Sequence, residues 1–108
     1  MKNRRSKYGN TIAFLGNIKF HSKAEMHFYS ELLLREKAGE VSDIKLQPKF
    51  IIEIKEKKIC SVILDFSFFD KKLNEVVYID VKGKDNALSI LKRKLVEACL
   101  GIKIQVIY

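Results

Sequence analysis

Three carboxylates lie where the surrounding sequence predicts a protein interior. Asp80 stands in the apolar stretch "VVYIDVKG", and because strand side chains alternate, Asp80 and Lys82 face the same side. Asp65 lies within "SVILDFSFF", and Glu25 lies on the border of the apolar face of a predicted helix. Carboxylates are almost never left unpaired in such places, so these positions require an explanation.

One arrangement accounts for all three acids. Gathered at one point beside Lys82, they would form a hard oxygen site for Mg²⁺ or Mn²⁺ next to a cation. Such an ion polarises a phosphoryl oxygen and lowers the pKa of a bound water, while the ammonium group orients the attacking water or neutralises charge at the phosphorus centre. The pattern therefore favours phosphodiester hydrolysis.

Each acid also has a structural explanation of its own. Ser22 and Glu25 have the S-x-x-E spacing of a helix capping box, which is the preferred interpretation of Glu25 taken alone. Asp80 and Lys82 would make an ordinary ion pair on a strand, and Asp65 would cap a turn or a buried amide. These three explanations must hold independently, whereas the metal site covers them together.

The charge balance indicates a polyanionic partner. The chain of 108 residues carries 21 Lys and Arg against 13 Asp and Glu, a net charge of +8 and a pI of about 9.5. Residues 1–10 read as a flexible basic tail in which Arg4, Arg5 and Lys7 contact phosphates, and a solubilising end explains them equally well.

Two apolar signals are missing from the sequence. No apolar run reaches the roughly 20 residues that span a bilayer, and the N-terminus lacks the apolar segment of a secretory signal. We therefore expect a cytoplasmic protein with no membrane association.

Turn and cap residues divide the chain into elements. The sequence predicts a hairpin around Gly16-Asn17 and a helix over Lys23–Ala38, with Ser22 as its N-cap. Short strands then follow from residue 41, broken at Pro48, and "ICSVILDFSFFD" reads as one strong strand that ends in the turn "DKKLN".

The C-terminal part predicts a crossover connection. "EVVYIDVKG" is the expected antiparallel partner of the preceding strand, and "NALSILKRKLVEACLG" has helical spacing, with four apolar residues on one side: Leu88, Leu91, Leu95 and Ala98. The strand "IKIQVIY" follows, and a strand, helix, strand sequence usually places the two strands parallel. We therefore expect an α/β fold, α+β by a stricter label, with a helix on each face of a mixed sheet in one domain over residues 11–108.

The ordered motifs resemble a known superfamily. Asp65, then Asp80-Val81-Lys82 on the second strand of a hairpin, with Glu25 on a preceding helix, resembles the PD-(D/E)XK nucleases. Within that superfamily the chain is similar to a small phage and prophage group described as a domain of unknown function, through "KYGN", "IKFHSKAE", "AGEVSDIKLQPKF", "DFSFFD", "IDVKGK" and "LKRKL…GIKI". The resemblance implies a restriction-endonuclease-like sheet in the order (hairpin)-α-β-β-β-α-β.

The resemblance also implies roles for individual residues. Asp65 and Asp80 would bind the metal with the backbone carbonyl oxygen of Val81, Lys82 would be the catalytic lysine, and Glu25 would join the site directly or through water. Further candidates are less specific, because a strand-end hydrogen bond or solvation explains them comparably well: site-adjacent Gln47 and Lys92, and nucleic-acid-binding Lys84 and Lys94.

These roles describe a Mg²⁺- or Mn²⁺-dependent DNA endonuclease. With little room for an added sequence-reading domain, we expect recognition of branched DNA, such as a Holliday junction, by a homodimer. The resemblance places this activity in phage recombination or repair in a bacterial host cell. The alternative is a non-catalytic nucleic-acid-binding module in which the same acids and lysines form structural ion pairs.

Overall fold

The computed structural model describes residues 12–108, and the predicted phosphate contacts of Arg4, Arg5 and Lys7 lie outside these residues. The chain divides into two compact units, one ending at Gly39 and the other spanning Glu40–Tyr108.

The first unit contains a hairpin and a helix. Strands β1 (Ala13–Leu15) and β2 (Ile18–Phe20) pair antiparallel around the predicted Gly16-Asn17 turn, where Gly16 has a φ of 60°. Helix α1 spans Lys23–Lys37 and begins at the predicted N-cap, because the Ser22 hydroxyl oxygen accepts a hydrogen bond from the Glu25 amide. The hairpin and the helix predicted from the sequence are confirmed.

The second unit is built on a mixed four-stranded sheet. Its elements are β3 (Val41–Leu46), β4 (Lys49–Ile54), β5 (Lys57–Ile63), β6 (Phe66–Asp70), β7 (Glu75–Val81), α2 (Ala87–Leu100) and β8 (Ile104–Ile107). The sheet order is β3-β6-β7-β8, with β8 parallel to β7 and the other pairs antiparallel. The mixed α+β fold and the parallel crossover are confirmed.

The remaining two strands form a hairpin of their own. Strands β4 and β5 pair antiparallel outside the main sheet, so the predicted α-β-β-β-α-β order describes α1, β3, β6, β7, α2 and β8 with this hairpin inserted after β3. The prediction of one continuous strand over residues 59–70 is wrong. The chain bends at Leu64–Asp65, where the Leu64 amide donates to the Pro48 carbonyl and the Asp65 carbonyl accepts from the Gln47 amide.

The hydrophobic core of this unit lies beneath α2. Its buried residues come from the β4–β5 hairpin, the bend, α2 and β8: Ile52, Val62, Leu64, Val96 and Ile104. Of the four apolar residues predicted to share one side of α2, Leu95 packs against this core, whereas Leu88 and Leu91 are 60% and 53% exposed and Ala98 is exposed. The helix is rotated so that Val96 and Arg93 are its buried residues.

No helix within residues 12–108 is long and apolar enough to cross a lipid bilayer.

Candidate active site

The bend after β5 and the end of β7 bring two predicted ligands together. The Asp65 amide donates to the Ile79 carbonyl at 3.1 Å, and Asp65 Oδ2 accepts from the Val81 amide at 2.7 Å. Asp65 is therefore bonded to the residue on each side of Asp80. The β6–β7 register pairs Phe66 with Ile79, and its continuation sets Asp65 opposite Asp80.

Asp80 is buried among charged groups. The residue is 4% exposed, and its Oδ2 lies 3.4 Å from Lys82 Nζ and 3.5 Å from Arg93 Nη1. Burial and the Asp65 carboxyl group within hydrogen-bonding reach together raise the pKa of Asp80 to about 6, and Lys82 opposes the shift. The two carboxyl groups thus form a site that favours an added cation, whether a proton or a metal ion.

Asp80 opens onto a basic depression of about 300 Å³. Its walls come from β5, the end of β7 and the first half of α2: Ser61, Val62, Ile63, Asp80, Lys82, Ser89, Lys92 and Arg93. The Lys82 side chain is 26% exposed, so its ammonium group can reach both Asp80 and a molecule in the depression. Lys92 lies in the same wall, and its role at the site stays a prediction.

Arg93 and its partners were not predicted. Arg93 is 9% exposed, and its guanidinium group makes a two-pronged contact with the Asp85 carboxylate, Nη1 to Oδ1 at 3.1 Å and Nη2 to Oδ2. The Tyr108 hydroxyl donates to Asp85 Oδ2 at 3.2 Å. The signal that could have identified Arg93 is helical spacing, because Ser89 and Val96 lie four residues before and three after it on one face.

The paired charges of this group reinforce one another. The hydrogen bond from Arg93 holds the pKa of Asp85 below its ordinary value, and Asp85 raises the pKa of Arg93. Both groups are therefore ionised together at neutral pH.

Gln47 contacts the site through its backbone. Its amide donates to the Asp65 carbonyl at 2.9 Å, and its φ of 51° lies in the left-handed region that non-glycine residues seldom adopt. The strand-end hydrogen bond considered for Gln47 is present, and it steadies the bend that carries Asp65. A role for the Gln47 side chain stays a prediction.

Glu25 belongs to the first unit and caps α1. Its Oε2 accepts from the His21 amide at 2.9 Å, while its own amide donates to the Ser22 hydroxyl oxygen at 3.1 Å. This is a capping box in which the Glu side chain returns to the residue before the N-cap. Participation of Glu25 in a metal site stays a prediction.

Two predicted nucleic-acid contacts lie outside the walls of the depression. Lys84 is exposed in the loop after β7, and Lys94 is exposed on α2. Contact of either lysine with nucleic acid stays a prediction.

The donor set of the second unit fits a magnesium ion. Among residues 12–108, no group of three or more His, Cys, Asp or Glu side chains is placed to hold a metal. Mg²⁺ is commonly held by one or two carboxylates with water and substrate phosphates completing its octahedron, so Asp65 and Asp80 meet its side-chain requirement. Their mutual contact, with the raised pKa of Asp80, is the feature that an added cation would relieve.

The fold and site define a mixed α+β protein with two adjoining carboxylates and a lysine at one end of its main sheet. The chain belongs to the family described as "Protein of unknown function (DUF1064)", which matches residues 5–105. Comparison with curated proteins and with solved structures finds no match.

Proposed function

We propose that this protein is a Mg²⁺- or Mn²⁺-dependent DNA endonuclease of the PD-(D/E)XK superfamily. The observation that carries the proposal is the contact of Asp65, Asp80 and Lys82 at one end of the sheet, opening onto a depression walled by further cations. Structural ion pairs alone do not require two carboxyl groups to adjoin, because that contact is unfavourable when both are ionised. A site that holds a divalent cation between two carboxylates does bring them together.

The residues divide the work of phosphodiester hydrolysis. Asp65 and Asp80 would hold the ion, with the Val81 carbonyl oxygen as a third ligand, and bound Mg²⁺ supplies Lewis-acid polarisation of the phosphoryl oxygen. Lys82 Nζ, 3.4 Å from Asp80, orients the attacking water and stabilises negative charge on the phosphate. Lys92 in the depression wall neutralises the neighbouring backbone phosphate.

DNA is the partner that the charge supports. A net charge of +8 attracts the phosphate backbone without reading bases, which suits an enzyme that recognises DNA shape. We therefore propose a structure-specific activity on branched DNA, such as a Holliday junction, by a homodimer that cuts two strands. Its proposed setting is phage recombination or repair in the cytoplasm of a bacterial host.

A substrate panel tests this function. The purified protein should cut at least one of supercoiled, flapped, forked or four-way DNA with Mg²⁺ or Mn²⁺, and chelator should stop the reaction. Lys82→Ala and Asp80→Asn should each reduce the rate about a hundredfold or more while DNA binding is retained. Asp70→Asn is the matched control, because Asp70 is a buried acid of the same hairpin that accepts hydrogen bonds from the turn amides; its rate should stay near wild type.

One observation favours a second candidate, a non-catalytic nucleic-acid-binding module. Asp80 Oδ2 already lies within 3.5 Å of two cationic side chains, Lys82 and Arg93, which would suffice as a structural ion pair. DNA binding that survives chelation, with none of the four DNA forms cut under any metal condition, would establish the module and reject the nuclease.

A further inference from the structure

Arg93 lies between two carboxylates and contacts them unequally. Its two terminal nitrogens each pair with one oxygen of Asp85, whereas only Nη1 approaches Asp80, at 3.5 Å from Oδ2. The Asp85 side chain is 12% exposed and the Arg93 side chain 11%, so this pair is largely shielded from water. The orientation of the guanidinium group is therefore determined by Asp85.

The unequal contact matters for Asp80. A guanidinium group prefers a two-pronged pair with a carboxylate, and such a pair occupies both carboxylate oxygens. If Arg93 turned fully onto Asp80, it would compete with a divalent cation for the same oxygens. Asp85 offers Arg93 a better partner, and the Tyr108 hydroxyl group also donates a hydrogen bond to Asp85 Oδ2.

We propose that Asp85 is a positioning residue that holds Arg93 close to Asp80 but leaves Asp80 able to bind a divalent cation. This inference rests on the proposed metal site and adds a residue that works through Arg93. The Asp85–Arg93 pair links the loop after β7 to α2. It therefore also helps to set the position of the α2 wall of the depression relative to Asp80.

The test measures Mn²⁺ binding directly, by electron paramagnetic resonance of free Mn²⁺ during titration of the folded protein. Asp85→Asn should weaken Mn²⁺ binding about tenfold, the usual size of an effect from a residue that orients a metal ligand. Adding Arg93→Gln to Asp85→Asn removes the competing guanidinium group and should restore most of the lost affinity. Arg93→Gln alone also removes a cation 3.5 Å from Asp80, so the double variant is compared with that single variant: equal Mn²⁺ affinity is expected, and a purely structural role of Asp85 would leave the double variant about tenfold weaker.

Two further variants separate position from charge. Glu97→Gln removes the same charge from the helix that carries Arg93 and keeps an acceptor for the Ile104 amide, so Mn²⁺ binding should stay near wild type. Tyr108→Phe changes no charge and removes one hydrogen bond from Asp85, so it should weaken Mn²⁺ binding by about threefold or less. It is the decisive variant if circular dichroism shows Asp85→Asn to be unfolded.

The outcomes distinguish this inference from the proposed function. Wild-type protein that binds no Mn²⁺ overturns the metal site and the inference together. Wild-type binding with an unchanged Asp85→Asn overturns the inference alone, as does a loss that Arg93→Gln fails to repair or that Glu97→Gln reproduces. With Asp85→Asn unfolded, unchanged Mn²⁺ binding by Tyr108→Phe overturns it.

Discussion

Each end of the β6–β7 hairpin buries a carboxylate, but the two carboxylates have different partners. At the turn end, Asp70 is 9% exposed and its Oδ1 accepts from the amides of Lys72 and Leu73 at 3.0 and 3.1 Å. At the open end, Asp80 is 4% exposed and adjoins the Asp65 carboxyl group together with two cations. Similar burial therefore accompanies two different kinds of partner.

The comparison separates structural acids from candidate catalytic ones. The backbone amides that donate to Asp70 make it the acceptor that stabilises the turn. A neighbouring acid at Asp80 disfavours ionisation, which makes the open end a place that gains from an added cation. Burial alone would make both Asp70 and Asp80 candidate catalytic acids. The kind of partner that each one contacts leaves only Asp80.

The largest difference between the two ends should appear in the free energy of unfolding when each acid is replaced and chelator is present. Asp70→Ala leaves two turn amides without their acceptor and should lower the free energy of unfolding by about 2 kcal/mol, with Asp70→Asn losing less because it keeps an acceptor oxygen. Asp80→Asn relieves the contact with Asp65 and should leave stability unchanged or raised. Thermal and urea unfolding measure both, and a large loss for Asp80→Asn would mark it as half of a structural ion pair.

A smaller difference between the two ends should appear in how much Mn²⁺ raises the free energy of unfolding. Mn²⁺ at ten times its dissociation constant should stabilise the wild-type protein by about 1.4 kcal/mol, because it binds only the folded state. Asp65→Asn should abolish this stabilisation, and Asp70→Asn should retain it. Differential scanning calorimetry with and without Mn²⁺ decides the matter, and equal stabilisation of both variants would contradict a site at the open end.

The smallest expected effect is a pH dependence confined to the open end. The pKa of Asp80 is about 6 in the folded protein against 3.8 ordinarily, so the metal-free folded state holds this proton more tightly than the unfolded state. Stability in chelator should therefore rise as the pH falls from 7 to 5, by about 1 kcal/mol from this group. Urea unfolding across that range should show the rise in wild type and less of it in Asp80→Asn; identical slopes would refute the assignment.

Local patterns predicted most of the elements. Ser22 and Gly39 bracket α1, Gly101 ends α2 in the left-handed region with a φ of 67°, and the turn over residues 71–74 is where the sequence placed it. These signals succeed because a cap or turn is satisfied by residues only a few positions away. The break at Leu64–Asp65 carries no such signal, since its hydrogen bonds come from the distant Gln47–Pro48 segment.

The rotation of α2 could not be predicted for a related reason. Its apolar row shares one side, yet only Leu95 of its three leucines packs against the core, Leu88 and Leu91 are mainly exposed, and Arg93 is buried. Periodicity reports which residues share a face, but the neighbouring strands decide which face is covered. A buried arginine is acceptable here because Asp85 and Asp80 supply carboxylate partners.

The sequence by itself determined the candidate acids, the lysine beside them and the hairpin that could unite them, because residue type, alternation and turn chemistry are local properties. Only the tertiary structure decided that Asp65 adjoins Asp80, that Arg93 approaches it and that Asp85 and Tyr108 restrain Arg93. Those contacts join the bend before β6, the end of β7, the loop after it, α2 and Tyr108, and contacts between separate elements depend on packing that no local pattern contains.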